Sequence, residues 1–336
     1  MSAGDHYLSS SRRRGSILLY VVWAVMLLSL FAVSIGSQAL FAINLTERLS
    51  DQLRASCLAR AAAHYALLAL DRDESKAVDG AVEAWADSPQ LFQGHALPGG
   101  SFQITAEEGE GEPLRYGLTD QERRLNLNTA PGEVLQRFFE SVGGLNEDEA
   151  VQMADAVQDW RDEDDKQRSH GAEGFYYRSL SESYDCKNAS FENLEELLLI
   201  RGVTPGLYAA LAPYLTVHGS GFLNLNTAAR PVLAALGLSA FGVDGLLAFR
   251  AGEDKVEGDA DDRLLVSAEN LESQLRQFVP VEDLATLAAL AKDHVLGVGS
   301  TEVGMRIKAE SGRPPRRTEV SCVISREGRI KLWSER

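Results

Sequence analysis

Residues 15–43 contain no charged side chain and follow directly on the basic triplet Arg12, Arg13 and Arg14. An uncharged run of this kind exceeds the roughly 20 residues that a helix needs to cross the hydrocarbon core, where every backbone polar group must be satisfied internally. One spanning helix is therefore expected, with Tyr20, Trp23 and Leu27 within it. Basic flanks stay on the cytoplasmic side, which places the rest of the chain across the membrane. A secretory signal also has a basic leader, but its apolar core runs only about 7 to 15 residues before a small-residue cleavage site. Residues 44–70 contain no Gly or Pro, and Leu45, Leu49, Leu53, Cys57, Ala61 and Tyr65 recur near helical spacing. The helix is expected to leave the membrane unbroken, become amphipathic and form the spine of a soluble domain.

At 336 residues the chain has room for two or three folded units beyond such an anchor. Its net charge of −16 disfavours nucleic acid and anionic lipid as partners of the soluble part. The three cysteines, Cys57, Cys186 and Cys322, are too few for a disulfide framework and lack metal-ligand spacing. In an extracytoplasmic domain Cys186 and Cys322 are the pair available for a bridge, with Cys57 left in the helix, although spacing alone does not fix the pairing.

Residues 78–87 predict a short helix with Ala81, Val82 and Trp85 inward, stopped at Ser88-Pro89. After a break at Pro98-Gly99-Gly100, residues 101–106 and 114–118 alternate apolar and polar and predict a β-hairpin around an acidic turn. Period-two alternation returns in 302–309, 318–325 and 329–333, with a flexible connection at 311–317 and a tight turn at Glu327-Gly328. Strands thus fall early and late, and 124–297 is helical by pattern. The simplest topology is α+β: an antiparallel sheet interrupted by an inserted helical domain.

The helical region repeats a phrase. Leu125-Asn126-Leu127-Asn128-Thr129-Ala130-Pro131 recurs as Leu223-Asn224-Leu225-Asn226-Thr227-Ala228-Ala229, each copy followed by an amphipathic helix. Alternating leucines predict an extended lead-in, with Asn or Thr capping the helix and Pro131 in its first turn. Between the copies, 193–200 predicts a helix, Gly202 a turn, and Thr204 the cap of a second helix.

Asp155, Asp159 and Asp162 share one helix face, ahead of the polar run 163–171. Converging carboxylates repel unless a cation enters, and hard oxygen ligands favour calcium, although the spacing is not that of an EF-hand; the alternative is a solvated acidic helix end. A second acidic run, 252–262, reads as a solvated loop. No enzyme signature is present: the six histidines show no ligand pairing, and no phosphate loop or nucleophile context occurs.

The leader, Gly15 followed by the small Ser16, and the apolar helix together resemble the class III signal of type IV pilins and type II secretion pseudopilins. That resemblance implies a leader at 1–15, cleavage by a prepilin peptidase between Gly15 and Ser16, and N-methylation of Ser16. An uncleaved signal anchor is the alternative. Major subunits carry glutamate at the fifth mature position; Tyr20 stands there in this chain. The minor pseudopilin K family (general secretion pathway protein K) characteristically lacks that glutamate. The order and spacing of the two Asn-Leu-Asn-Thr-Ala phrases, Asp159-Trp160-Arg161-Asp162, Gly171-Ala172-Glu173 and Leu194-Glu195-Glu196-Leu197 also resemble this family.

Membership implies a transmembrane segment at 16–43, a pilin-like domain at 44–123 completed by strands at 298–336, and an inserted α-helical domain at 124–297. It also implies a place in the bacterial inner membrane with the soluble part periplasmic, a role at the tip of the pseudopilus beside minor pseudopilins I and J, and calcium held by Asp162, Asp164 and Glu173. The repeated phrase and 200–205 also resemble helix-hairpin-helix modules that grip DNA backbone through glycine-turn amides. A membrane-tethered DNA receptor would need a Lys/Arg patch, whereas Asp and Glu crowd these helices, so no nucleic acid is expected.

Overall fold

The computed structural model describes residues 12–73, 75–107 and 113–335. Helix α1 (Arg12–Asp71) runs 60 residues without interruption, about 90 Å at the α-helical rise. Apolar residues from Ile17 to Leu53 along it are exposed, as expected of a segment whose solvent is lipid and partner helices. A face becomes buried only from Ala55 onward, through Leu58, Ala59, Ala62, Ala63, Ala66 and Leu70.

Residues 78–87 do not form the predicted helix. Their backbone is spent on another segment: Leu118 N–H donates to Trp85 O and Ser88 N–H to Tyr116 O, so Trp85 and Ala86 are buried in a turn while Val82 stays exposed. Ser88-Pro89 opens a helix rather than closing one, because proline in a first turn forfeits no needed donor: α2 is Pro89–Phe92. Strands β1 (His95–Leu97) and β2 (Gly100–Thr105) form a hairpin across Pro98-Gly99, where Gly99 takes φ 99°. The predicted pairing of 101–106 with 114–118 is not made, since the neighbours of β2 are β1 and a C-terminal strand; Ala106 N–H to Arg115 O is the backbone bond that links the two segments. The acidic turn at 108–112 and leader residues 1–11 lie outside the described residues.

After β3 (Thr119–Asp120) the chain enters the helical region. Its first half comprises β4 (Leu125–Asn126), α3 (Gly132–Ser141), α4 (Glu147–Arg161), α5 (Gly174–Arg178), α6 (Pro205–Leu211) and β5 (Leu215–Thr216). The second comprises β6 (Leu223–Asn224), α7 (Arg230–Ala235), α8 (Ala240–Arg250), α9 (Leu271–Leu275), α10 (Val281–Lys292) and β7 (Leu296–Gly297). Each half is closed by a two-residue parallel ladder, β4 with β5 and β6 with β7. The segment 194–199 is a 3-10 helix rather than the α-helix predicted, and Thr204 does cap α6, accepting from Leu207 N–H at 3.2 Å.

The chain returns through β8 (Glu302–Ser311), β9 (Arg316–Ser325) and β10 (Ile330–Glu335). The sheet order is β1-β2-β8-β9-β10, antiparallel, with β3 pairing on β8. Strands from both sides of the helical region therefore share one sheet, in the α+β arrangement read from the sequence. The face carrying Ile104, Met305, Ile307, Val320 and Cys322 packs against the alanines of α1 as one core, and the helical region holds a second core of its own.

Candidate functional site

Three features lie outside these two cores. The first is on α1. The apolar stripe that marks this half as amphipathic is covered only at its end, where Tyr65 packs on the sheet core; Leu45, Leu49 and Leu53 are 45%, 57% and 68% exposed, and Cys57 is exposed with them. Alanine lets a helix approach a sheet closely, and the sheet takes that side. The leucines are left as an unpartnered helical seam continuous with the membrane segment, which is how one helix of a larger bundle is built.

The second feature is the acidic segment after α4. The loop folds back over the three aspartates. Buried Asp159 accepts from Arg168 N–H at 3.2 Å, Asp155 accepts from His170 N–H at 3.0 Å, and Asp162 pairs with Arg168 at 3.1 Å. Burial pushes Asp159 up to about 6 against that backbone donor. These carboxylates are thus largely satisfied from within. Three oxygens near the segment are not: Asp162 Oδ1, Glu173 Oε1 and Asn188 Oδ1 are each buried without a partner. Glu173 is 3% exposed, and burial raises its carboxyl, with Asp162 and Asp165 adding to the rise. Asn188, held at φ 47°, donates to Asp164 O and Asp165 Oδ1. Asp164 does not join the orphaned set, because its side chain is exposed and turned onto Lys166. Asn188, with Lys187, is among the residues that resemble the K family in order and spacing, but it is not among the calcium candidates read from the sequence; it is of a residue type that tolerates positive φ.

The pairing of Cys186 with Cys322 is not made. All three cysteines are free; Cys186 packs on the helical core while Cys322 belongs to the sheet core, and burial raises each of those two thiols to about 12.

The repeated phrase is a clamp used twice. Asn126 and Asn224 each accept, through Oδ1, from the N–H two residues on, at 2.8 and 3.0 Å. Asn128 grips Phe191 by both its N–H and its carbonyl, and Asn226 grips Leu265 in the same way. Arg161, ending α4, donates to Leu127 O and Ala130 O; Arg250, ending α8, donates to Leu225 O and Ala228 O. With their side chains committed here, Asn and Thr do not cap the following helices. Pro131 and Ala229 occupy those caps without a side-chain bond, so Pro131 sits at the cap itself rather than in the first turn.

The third feature is the junction where the chain enters and leaves the helical region. Asp120 accepts from Asn224 Nδ2 at 2.8 Å, and Glu122 accepts from Ser220 N–H and Thr301 N–H, both at 3.0 Å. A Cβ at Gly219, which has φ +94°, would lie 2.9 Å from the Glu122 carboxyl carbon, so this turn needs glycine. Burial, with Glu122 alongside, pushes Asp120 up to about 7; burial likewise lifts Asp79 to about 6 despite Arg326. These contacts join residues about a hundred or more positions apart, and no local pattern announces them.

Comparison with known proteins gives a consistent result. Residues 117–220 match the family described as type II secretion system (T2SS), protein K. Type II secretion system protein K of Aeromonas hydrophila is 30% identical over 224 residues, 66% of this chain and 63% of that protein. The Klebsiella pneumoniae protein of the same name is 28% identical over 231 residues, 64% of this chain and 66% of its own length. The chain therefore spans a little under two thirds of these curated relatives. A chain of the crystal structure of the GspK-GspI-GspJ complex from the enterotoxigenic Escherichia coli type 2 secretion system superposes with a TM-score of 0.64 at 17% identity, covering 88% of this chain and 99% of that one. At that identity the likeness establishes the fold.

Proposed function

We propose that the chain is a member of the type II secretion system protein K family and a minor pseudopilin that works by assembly. It is held in the inner membrane by α1, with the soluble part periplasmic, and sits at the tip of the pseudopilus beside minor pseudopilins I and J. The observation that carries this reading is the exposed seam Leu45, Leu49, Leu53, Cys57 on α1, which runs on from the uncharged segment and is covered by nothing among the described residues. Tyr20 supplies no carboxylate for a neighbour's terminal amine, which suits a subunit with nothing above it. The bulk of the helical region would also block further subunits sterically.

The test is processing. Coexpressed with a prepilin peptidase, the chain is expected to begin at N-methylated Ser16, read by intact mass and N-terminal sequencing. Retention of Met1 to Gly15 in the presence of active peptidase would return the chain to a simple signal-anchored protein.

The same reading extends to calcium. Asp162, Glu173 and Asn188 each offer a buried oxygen without a partner, and hard oxygen donors of this kind suit calcium. Bound there, the ion would neutralise Asp162 and Glu173 and tie 162–188 to the end of α4. Calcium at 100 times its dissociation constant would stabilise the fold by about 2.7 kcal/mol. Chelator dialysis is therefore expected to lower the melting temperature, calcium to restore it, and Glu173→Gln to abolish the restoration. A melting temperature indifferent to chelator would remove the metal from the account.

A further inference from the structure

The turn that joins β8 to β9 carries a charge opposite to that of the chain, and it lies at the end of the soluble domain nearest the uncharged half of α1. Residues 311–318 hold three arginines, Arg313, Arg316 and Arg317, and no acid, in a chain of net charge −16. The turn is held against α1. A Cβ at Gly312, which has φ +85°, would strike the Asp51 carboxylate, and Gln52 Nε2 donates to Thr318 Oγ1 at 2.9 Å. Both helix positions precede Ala55, where the buried face of α1 begins. Asp51 stands eight residues after Ile43, the end of the apolar run, or about 12 Å at the α-helical rise.

The acids at this end are outnumbered, and most are committed. Asp51 pairs with Arg54 at 3.2 Å and Glu310 with Arg317 at 2.7 Å, while Glu335, further along the helix, accepts from Ser56. Arg313 and Arg316 make no ion pair among the described residues, and neither does Arg48 on the exposed surface of α1. After pairing, three guanidinium groups stand against Glu47 alone. A cavity of about 490 Å³ opens beside the turn, with Arg54 on its helix side, Gly99 and Gly100 from the β1–β2 hairpin, and Arg313 and Pro315 from the turn itself.

We propose that this turn is a lipid-contact site, which rests on the anchoring of α1 proposed above: Arg313 and Arg316, with Arg48, hold the phosphate headgroups of anionic phospholipids in the leaflet from which α1 emerges toward the soluble domain. The tether argues the occupant. The polar interface of a bilayer is about 5 to 8 Å deep on each side, and arginines on long stems at about 12 Å along the helix reach the remainder, so a bilayer that holds α1 presents its headgroups to this turn. Guanidinium meets phosphate through parallel hydrogen bonds, and the unpaired forks of Arg313 and Arg316 are free to make them. The acids that give the chain its negative charge do not cancel the attraction where they lie beyond the Debye length, about 10 Å at 0.1 M salt. Contact at the turn would set how far the soluble domain stands from the membrane and at what tilt.

The test is native mass spectrometry of the full chain released from detergent micelles that hold equimolar phosphatidylglycerol and phosphatidylcholine. Wild type is expected to retain phosphatidylglycerol in preference. A basic residue near a charged bilayer surface is worth about fivefold, so Arg313→Gln/Arg316→Gln is expected to lower that preference at least about threefold. Its thermal melt should not change, since neither side chain is paired within the chain. The basic triplet Arg12, Arg13 and Arg14 contributes equally to both forms, so the difference between them reads the turn. Arg313→Glu alone, at an exposed position, serves if the double variant misfolds, and the same loss is expected of it. Flotation with vesicles of phosphatidylcholine alone reads the anchor separately: a chain that stays behind would overturn the anchor and this site together. A chain that floats, but whose variants keep the wild-type preference, would overturn the site alone. Displacement of phosphatidylglycerol by millimolar inorganic phosphate would also overturn it, as the mark of a free-anion site.

Discussion

Asn226→Ala is expected to destabilise the chain by at least about 2 kcal/mol, more than its repeat counterpart Asn128→Ala. Asn226 is 2% exposed, and its amide serves three backbone groups: Oδ1 accepts from Leu265 N–H at 2.8 Å, and Nδ2 donates to Leu265 O at 3.0 Å and Val298 O at 3.2 Å. Truncation leaves Leu265 N–H and Leu265 O without a partner, at roughly 1 to 3 kcal/mol for each buried group that water does not reach, while Val298 O keeps its bond from Asp79 N–H at 2.9 Å. Asn128 makes the same kind of set with Phe191 N–H, Phe191 O and Val217 O, but is only partly buried, so water takes over part of the work. A loss of about 1 to 2 kcal/mol is expected there. Urea titration followed by tryptophan emission separates the two, since the Asn226→Ala midpoint should fall further at an unchanged slope. Equal and small losses would mean that the second clamp is hydrated or redundant.

The two clamps also show what the sequence carried and what it left out. The repeat was legible, because a seven-residue phrase recurs. Its role was not, because capping is what Asn and Thr do by local rules, while the partners that take their side chains, Phe191 and Leu265, lie 63 and 39 residues away. The same division holds elsewhere. The C-terminal strands show period two and were placed within one or two residues, whereas the hairpin drawn from 101–118 lost to β1, a three-residue strand too short to show a pattern. In the acidic segment, the candidates Asp162, Asp164 and Glu173 came from the family resemblance, and local sequence does not say which of them the loop buries without a partner, Asp162 and Glu173, and which it turns outward onto Lys166, Asp164. The junction acids Asp79, Asp120 and Glu122 were invisible for the reason that buried polar groups generally are: their meaning lies in donors supplied by distant segments.

Helix α1 supplies the prediction that joins fold to function, because its two faces respond oppositely to change. Ala62 is 0% exposed against the sheet. Ala62→Leu adds three heavy atoms where helix and sheet already touch, and overpacking of this kind costs about 1 to 3 kcal/mol, or more where the backbone must move. Relief here requires lifting the helix off strands that also pack on Ala59, Ala63 and Ala66, so the upper end of that range is expected, as a lowered melting temperature of the full chain in micelles. Leu53 lies two residues before Ala55, the first buried position of α1, and is 68% exposed. Leu53→Asp removes no contact within the chain, and its stability should stay within about 0.5 kcal/mol of wild type. If the leucine seam is where a neighbouring helix packs, Leu53→Asp forces a carboxylate into an apolar interface and should reduce copurification with coexpressed minor pseudopilins I and J at least tenfold. Two opposite outcomes would count against this view. A destabilised Leu53→Asp would mean that the seam serves the fold of the single chain. Undiminished copurification would mean that assembly runs through another surface, leaving the exposed leucines of α1 without a role.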